Sequence, residues 1–333
     1  MSAKLSDHQN PISGGQFKKR DSLSFLFNIK ESSYPSTYSK DVAISLSQCI
    51  HDMRNKIDGV LISGDISTTG ADLDLEFASN FLLGDVDINW SSGFPIKPII
   101  NNTYTTGIIP GNHDRYMEGL FSLPGSLNFE KYFGNDWQIS KKQPGIKVEE
   151  VGDTGKIKLL KYEKENENLL IYCIDFSLQY ESESVSTSKS VVGHFGQGIV
   201  NPTVLEQLII NTKLETTKNS APALWMLHFP PKCTEINEWE KLQLIEDELL
   251  IDAANECNVE HLLTGHTHKE DRYDAVCSNG NKVNVICAGT ACCVENENEA
   301  NKLYELQIGI NDGKIVSLVE NSISYDEEEN EFN

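Results

Sequence analysis

The sequence predicts an α/β protein, on three observations. Short apolar runs alternate with helically spaced ones through the first half of the chain, the order expected of a sheet with helices packed on it. Four of the apolar runs end in a turn that carries Asp, Asn or His. Hydrophobic residues make up 39% of the 333, enough for a sizeable core.

The elements follow in order. Residues 3–6 read as a short first strand before Asp7-His8-Gln9, and Leu23-Ser24-Phe25-Leu26-Phe27 is a second apolar cluster. Lys18-Lys19-Arg20 lies between them, either as a solvated loop or as a basic cover that greets an anionic substrate. Val42, Ile44, Leu46, Ile50 and Met53 have roughly helical spacing, which predicts an amphipathic helix over residues 38–55. Asp58-Gly59 turns into a strand that ends at Asp65. A helical pattern resumes over residues 71–83, and a segment with Pro95 and Pro98 leads to a strand at 107–109. Residues 115–155 read as irregular, with short helical pieces. Residues 157–162 and 169–174 predict a β-hairpin across a polar turn. The Ser- and Glu-rich stretch 181–190 is a loop. The glycine-rich segment 191–198 is either a flexible connection or a loop that touches substrate through His194.

Asn201 as cap and Pro202 in the first turn open a helix through Ile209. A strand to His228 follows, then a helix over about 240–255 and an apolar strand over 259–263. Residues 272–277, 282–287, 302–308 and 314–319 read as consecutive strands. The like-charge block Asp326-Glu327-Glu328-Glu329-Asn330-Glu331 predicts a disordered tail. The expected organisation is one domain over residues 1–323 and an acidic tail over 324–333.

Formal net charge is -22, and no basic stripe is evident. Direct binding to nucleic acid or to an anionic membrane surface is disfavoured. The eight cysteines are scattered without a C-x-x-C pair. With no signal-peptide pattern and no membrane-spanning run, they point to a reducing cytoplasm.

The chemistry lies at the strand ends. Val60-Leu61-Ile62-Ser63-Gly64-Asp65 ends in Gly-Asp, and Ile108-Ile109-Pro110-Gly111-Asn112-His113-Asp114 ends in Gly-Asn-His-Asp. Leu224-Trp225-Met226-Leu227-His228 ends in a single His, and Leu262-Leu263-Thr264-Gly265-His266-Thr267-His268 in His-x-His. Loops past the carboxyl ends of strands carry the chemistry of α/β sheets. Imidazole is the commonest protein ligand for divalent transition metals, and one His pair completes no coordination sphere. The mixed nitrogen and oxygen donors suit Mn, Fe, Zn or Co and argue against Ca.

These motifs resemble the calcineurin-like metallophosphoesterase superfamily, whose pattern is D-x-H, G-D, G-N-H-[DE], H and G-H-x-H, each after a strand. The last four stand here as Gly64-Asp65, Gly111-Asn112-His113-Asp114, His228 and Gly265-His266-Thr267-His268. The resemblance spans nearly the whole chain and looks closest to the cytoplasmic phosphodiesterase branch, which includes cyclic-nucleotide enzymes. It implies two stacked mixed β-sheets flanked by helices, a four-layer sandwich, with two divalent ions at the rim. Manganese is the first choice for both, with iron, zinc or cobalt as alternatives. By the same resemblance Asp65 bridges both ions, Asn112, His228 and His266 complete one, and Asp7 and His268 serve the other. His113 is then a proton donor beside the phosphate rather than a ligand.

The chain departs from the pattern twice. Asp7-His8-Gln9 reads D-x-Q, so Asp7 and Gln9 are the expected ligands there, while Asn28-Ile29-Lys30 after Phe25-Leu26-Phe27 is a competing position without a carboxylate. Thr68 stands where many relatives carry an Asp that holds the catalytic His, which leaves that task to Asp114 or a more distant group. The expected activity is metal-dependent hydrolysis of a phosphoester, as a phosphodiester of a small molecule or nucleotide. The alternative is a non-catalytic metal- or nucleotide-binding protein with a degraded first motif.

Overall fold

Seven strands of the chain pair into one mixed sheet in the computed structural model. The structure describes residues 40–67, 70–83, 88–89, 95–96, 99, 105–117, 120–124, 128–134, 137, 146–164, 167–177, 197–231, 244–292 and 301–333. Helix α1 (Lys40–Met53) precedes β1 (Gly59–Ile62); α2 (Asp72–Leu83) and β2 (Thr105–Ile108) follow. Then come α3 (Asn128–Phe133), β3 (Ile146–Glu150), β4 (Ile157–Lys164) and β5 (Glu167–Ile174). The second half holds α4 (Pro202–Asn219), β6 (Ala223–Leu227), α5 (Asp247–Glu256), β7 (His261–Thr264), β8 (Asp271–Val276) and β9 (Lys282–Cys287). It ends with β10 (Lys302–Asn311), β11 (Lys314–Asp326) and β12 (Glu331–Phe332).

The large sheet has the order β8-β9-β7-β6-β5-β4-β3. Its middle strands β9, β7, β6 and β5 are parallel, and antiparallel strands close both sides. Side chains alternate across it with the strand period of two. On β6, Ala223, Trp225 and Leu227 face one core, with Val204 and Leu208 of α4 and Leu250 and Ala254 of α5. Leu224 and Met226 face a second core, which takes in α1, α2, β1 and β2 and also Leu303, Leu306, Ile315 and Leu318 of β10 and β11. A strand buried on both faces must be apolar throughout, and β6 reads Ala-Leu-Trp-Met-Leu.

The layers are therefore helices, seven-stranded sheet, a second strand layer and helices, as the resemblance implies. The second layer has two parts among the described residues. β1 and β2 pair in parallel, and β10, β11 and β12 form an antiparallel meander.

Local sequence explains the boundaries. Val42, Leu46 and Ile50 put one face of α1 into the core. Asn201 caps α4 by accepting from the Thr203 and Val204 N–H groups at 2.9 and 3.2 Å. That helix runs on to Asn219 and stops at Ser220 with φ 48°, beyond the expected end at Ile209. Conversely, α5 starts at Asp247 rather than near residue 240, because Leu244–Ile245 pairs with Gly198–Ile199 instead. Residues 146–150, expected to be irregular, form the edge strand β3, where Ile146 and Val148 are the two apolar residues of five and the alternation is too short to stand out.

The expected disordered tail over 324–333 is corrected. Tyr325 pairs with Phe332, their rings lie 5.4 Å apart, and both are buried against the fold. The Phe332 N–H donates to Ser45 Oγ of α1 at 3.0 Å. The acidic residues occupy the exposed turn of this hairpin, and the two aromatics bracketing them supply the apolar burial that a charge count overlooks. The described cysteines are free thiols, and none of the described helices is long and apolar enough to cross a membrane.

Candidate metal centre

The carboxyl ends of β1, β2, β6 and β7 converge at one rim. β1 delivers Asp65, β2 delivers Asn112 and His113, β6 delivers His228, and β7 delivers His266 and His268. Cross-links tie these loops together. Ile109 N–H donates to Ile62 O at 3.1 Å, and Gly265 N–H donates to His228 O at 3.0 Å. The glycines are steric requirements: a Cβ on Gly64 would stand 2.7 Å from both Gly111 N and His228 Nδ1, and one on Gly111 would collide with the Asp65 carboxylate. Gly64 also has φ 100°, and the non-glycine residues Asp65, His266 and His268 have φ of 55°, 71° and 60°. Left-handed backbone at such residues is held only where the surroundings over-determine it.

Four donor atoms surround one point. His228 Nε2 lies 3.1 Å from Asn112 Oδ1, 3.1 Å from His266 Nδ1 and 3.3 Å from Asp65 Oδ2. His228 Nδ1 sits 2.6 Å from the Ser63 carbonyl, which can only accept, so the ring proton is on Nδ1. In neutral His228 the lone pair on Nε2 therefore faces the lone pairs of an amide oxygen and a carboxylate. That is a repulsive set unless a cation stands among them. Ligand atoms ~2 Å from a tetrahedral ion are ~3.3 Å from one another, close to the separations found. Asp65, His228 and His266 are all buried and their donor atoms lie within 4.8 Å of one another. The residues present fit a divalent transition-metal ion, and a backbone carbonyl orienting a ligating imidazole is the usual outer support of such sites.

Electrostatics agree with a cation site. Burial pushes the Asp65 carboxyl up, but the charge that His228 and His113 carry when protonated holds it well below the usual carboxylate range. Burial and the neighbouring His228 keep His266 well below its ordinary value, so it is neutral and able to ligate. Burial likewise pushes His268 down to about 3.

His113 is fully buried, and its backbone N–H donates to Asp65 Oδ1 at 2.9 Å. Asp114 ties two loops of the rim together. Its buried carboxylate accepts from Gly111 N–H at 2.9 Å, Ser67 N–H at 2.8 Å, Ser67 Oγ at 2.8 Å and Ile66 N–H at 3.2 Å. It thus clasps the loop after Asp65 to the loop that carries Asn112 and His113. Arg115, also fully buried, forks onto Glu130 at 2.6 and 2.7 Å and reaches Asp175 at 2.8 Å, which fixes the same loop to α3 and to the end of β5.

The structure brings together Asp65, Asn112, His228 and His266, and it places His113 and His268 on the loops beside them. Asp7, Gln9, His194 and Thr68 lie outside the described residues. Sequence reasoning missed the Ser63 carbonyl and Phe229, whose ring meets His228 and His266 edge-on at 4.8 and 4.9 Å. Ser63 had no signal, since its backbone does the work; Phe229 had one, as the aromatic residue directly after a strand-end His.

A search of curated proteins found no match. Among solved structures the chain is similar to GAP50, the anchor in the inner membrane complex of Plasmodium, at 10% identity and a TM-score of 0.43 over 86% of this chain and 80% of that one. The family model described as calcineurin-like phosphoesterase matches residues 41–270, well over half of the sequence and all four intact strand-end motifs. The chain belongs to the calcineurin-like phosphoesterase family.

Proposed function

We propose that this protein hydrolyses a phosphoester, as a phosphodiester of a small molecule or nucleotide, with divalent metal held at the strand-end rim. The observation that carries the reading is the convergence of the lone pairs of Asp65, Asn112, His228 and His266 on one point. When bound, a divalent ion supplies Lewis acidity toward a phosphoryl oxygen. The chain's own residues do the rest. Asp65, Asn112, His228 and His266 hold the ion, and the Ser63 carbonyl keeps Nε2 of His228 bare for it. The Phe229 edge limits water behind the two imidazoles. His113, which is not a ligand, delivers a proton to the leaving oxygen. His268, with Asp65, would serve a second ion, whose other ligands come from outside the described residues. Asp7 and Gln9, or the stretch around Asn28, supply that position, and manganese is the ion to try first. The acidic surface favours a small substrate over a polynucleotide.

Bis-p-nitrophenyl phosphate tests this without a guess at the natural alcohol groups. Turnover is expected with manganese and none after chelation. His113→Ala should lower the rate by ~10²–10⁴-fold and leave metal bound, whereas His228→Ala and His266→Ala should lose metal and activity together. A second reading, a non-catalytic metal-binding protein, is favoured by Asp65 being the one carboxylate among the described donors at the rim. Absence of turnover on diesters and monoesters by fully metallated protein would decide for it.

A further inference from the structure

His228 and His266 converge on the same point, yet they are held in different ways. His228 has its outer nitrogen fixed, with Nδ1 2.6 Å from the Ser63 carbonyl. His266 turns Nδ1 toward the ligand point, 3.1 Å from His228 Nε2, so its outer nitrogen is Nε2. For Nδ1 to ligate, the ring proton must sit on Nε2. That atom is buried, and no hydrogen-bond partner meets it among the described residues. A ligating imidazole ordinarily gives this proton to a carbonyl, a carboxylate or water, which fixes the plane of the ring. His266 lacks that support, and the torsion that turns an imidazole about Cβ–Cγ is broad when left to itself.

Packing supplies what the hydrogen bond does not. The Phe229 ring lies 4.9 Å from the His266 ring at 63° and 4.8 Å from the His228 ring at 85°. The two imidazoles are themselves 4.9 Å apart at 65°. The three rings thus close a triangle of tilted and edge contacts, the arrangement aromatic pairs prefer. A change in the tilt of Phe229 therefore alters its contact with both imidazoles, but His228 has the Ser63 carbonyl to hold it and His266 does not.

Phe229 is in turn seated by Gly198. A Cβ at Gly198 would stand 2.7 and 2.8 Å from Phe229 Cγ and Cε2, and closer still to Cδ2. Gly198 is not among the left-handed glycines, so it is needed here for room rather than for conformation. Its strand has little freedom to retreat. Gly198–Ile199 pairs with Leu244–Ile245, and Gly198 also bridges Ser177. Ile199 N–H donates to Phe176 O at 2.9 Å, and Val200 N–H to Ile245 O at 3.1 Å. Phe229 is fully buried in the core that faces α4 and α5, so a side chain at 198 would displace the ring rather than find open space.

We propose that Gly198 and Phe229 are positioning residues of the metal centre: Gly198 leaves room for the Phe229 ring, and that ring holds the His266 imidazole in its ligating plane in place of a hydrogen bond. The inference rests on the metal-centre reading above. It predicts that a single methyl group at 198, a residue that touches no ligand, weakens metal binding by acting through Phe229.

Cobalt titration of the full chain, followed by visible absorption, tests this together with NMR of histidine-labelled metal-free protein. Gly198→Ala should weaken cobalt about 10–100-fold, the usual effect of losing an outer support, and change the shape of the visible spectrum. Phe229→Leu should do the same. The double variant Gly198→Ala/Phe229→Leu should bind no more weakly than Phe229→Leu alone, because the added methyl then enters space the ring has left. Val200→Ala, a truncation in the same core, should lower the melting temperature and leave cobalt affinity and spectrum unchanged. In metal-free protein the ring signals of His266 should move in Gly198→Ala and in Phe229→Leu and stay in place in Val200→Ala. Wild-type affinity, spectrum and His266 signals in Gly198→Ala would overturn the proposal, as would losses that multiply in the double variant or an equal loss in Val200→Ala. If Gly198→Ala does not fold, Phe229→Leu against Val200→Ala decides, and unchanged affinity and His266 signals in Phe229→Leu overturn it. A wild type that binds no cobalt sinks the metal-centre reading; the His266 ring signals of the metal-free variants then decide the positioning by themselves.

Discussion

Replacing Asp114 by alanine is the sharpest test of how the site is built. The carboxylate is buried and accepts from three backbone N–H groups, of Gly111, Ser67 and Ile66, and from Ser67 Oγ. Alanine leaves those three N–H groups without their acceptor in a space a side chain has vacated. Each such donor costs ~1–3 kcal/mol when left unsatisfied, partly offset if water enters. One term opposes this loss: burial and the Asp65 charge push the Asp114 carboxyl up, so part of its charge is held at a cost. The net expected loss is about 3 kcal/mol, or ~4 °C in melting temperature for a chain of 333 residues. Ser67→Ala removes one of the four bonds and the Oγ that accepts from the Gly70 N–H at 3.2 Å, and should lose about 2 kcal/mol. Denaturant and thermal unfolding of metal-free protein measure both. A loss below about 1 kcal/mol for Asp114→Ala would refute the clasp, since the loops would then be held by something else.

Other expectations follow from single contacts. Burial pushes the Asp175 carboxyl up, but Lys156 and Arg115 beside it bring it below the usual range. A depressed carboxyl contributes stability that is complete above the unfolded value of ~3.9 and disappears as pH falls through the lower folded value. Acid unfolding should therefore steepen below about pH 4, and Asp175→Asn should flatten that limb. Phe332→Ala should cost about 2–3 kcal/mol by emptying its place against α1, while Glu327→Gln, Glu328→Gln and Glu329→Gln should stay within about 0.5 kcal/mol; equal effects would contradict the docked hairpin. Gly111→Ala, forced into Asp65, should abolish metal binding in a titration at a stability loss smaller than that of Asp114→Ala; retained affinity would show that the rim relaxes.

How far the sequence was legible depended on how local each signal is. The strand ends were legible because a buried strand is a continuous apolar run, and Gly64-Asp65, Gly111-Asn112 and Gly265-His266 mark where it turns. His228, Asn112 and His266 could be grouped because residues of those types at four such ends have few other reasons to coincide. The Asp114 clasp was not legible. Its partners Ser67 and Ile66 are nearly fifty positions away, and they offer backbone groups that any residue would offer. The tail was misread for a related reason. Charge counts weigh Glu327, Glu328 and Glu329 equally with their neighbours, yet the structure is decided by Tyr325 and Phe332 on either side. β3 escaped because an edge strand with two apolar residues, Ile146 and Val148, lacks the continuous apolar run that marks a buried one.

The geometry of the rim also explains why its residues are bound to one another so heavily. Asp65, His266 and His268 all hold left-handed backbone, and each such residue costs of order 1 kcal/mol against an ordinary conformation. With His228 neutral, the donor atoms of Asp65, Asn112 and His228 face one another lone pair to lone pair, which adds repulsion in the metal-free protein. Described contacts around the rim offset these terms. The compensation comes from behind it: the Asp114 clasp, the Arg115 fork onto Glu130 and Asp175, and the Ser63 carbonyl on His228. These contacts use groups that do not themselves ligate, so they can hold the donors in place whether or not an ion is bound. A cation then binds to donors already positioned and relieves their mutual repulsion, with little ordering left to be done. By this reasoning the supporting contacts, more than the ligands, decide whether the ligands of Asp65, Asn112, His228 and His266 act as one site.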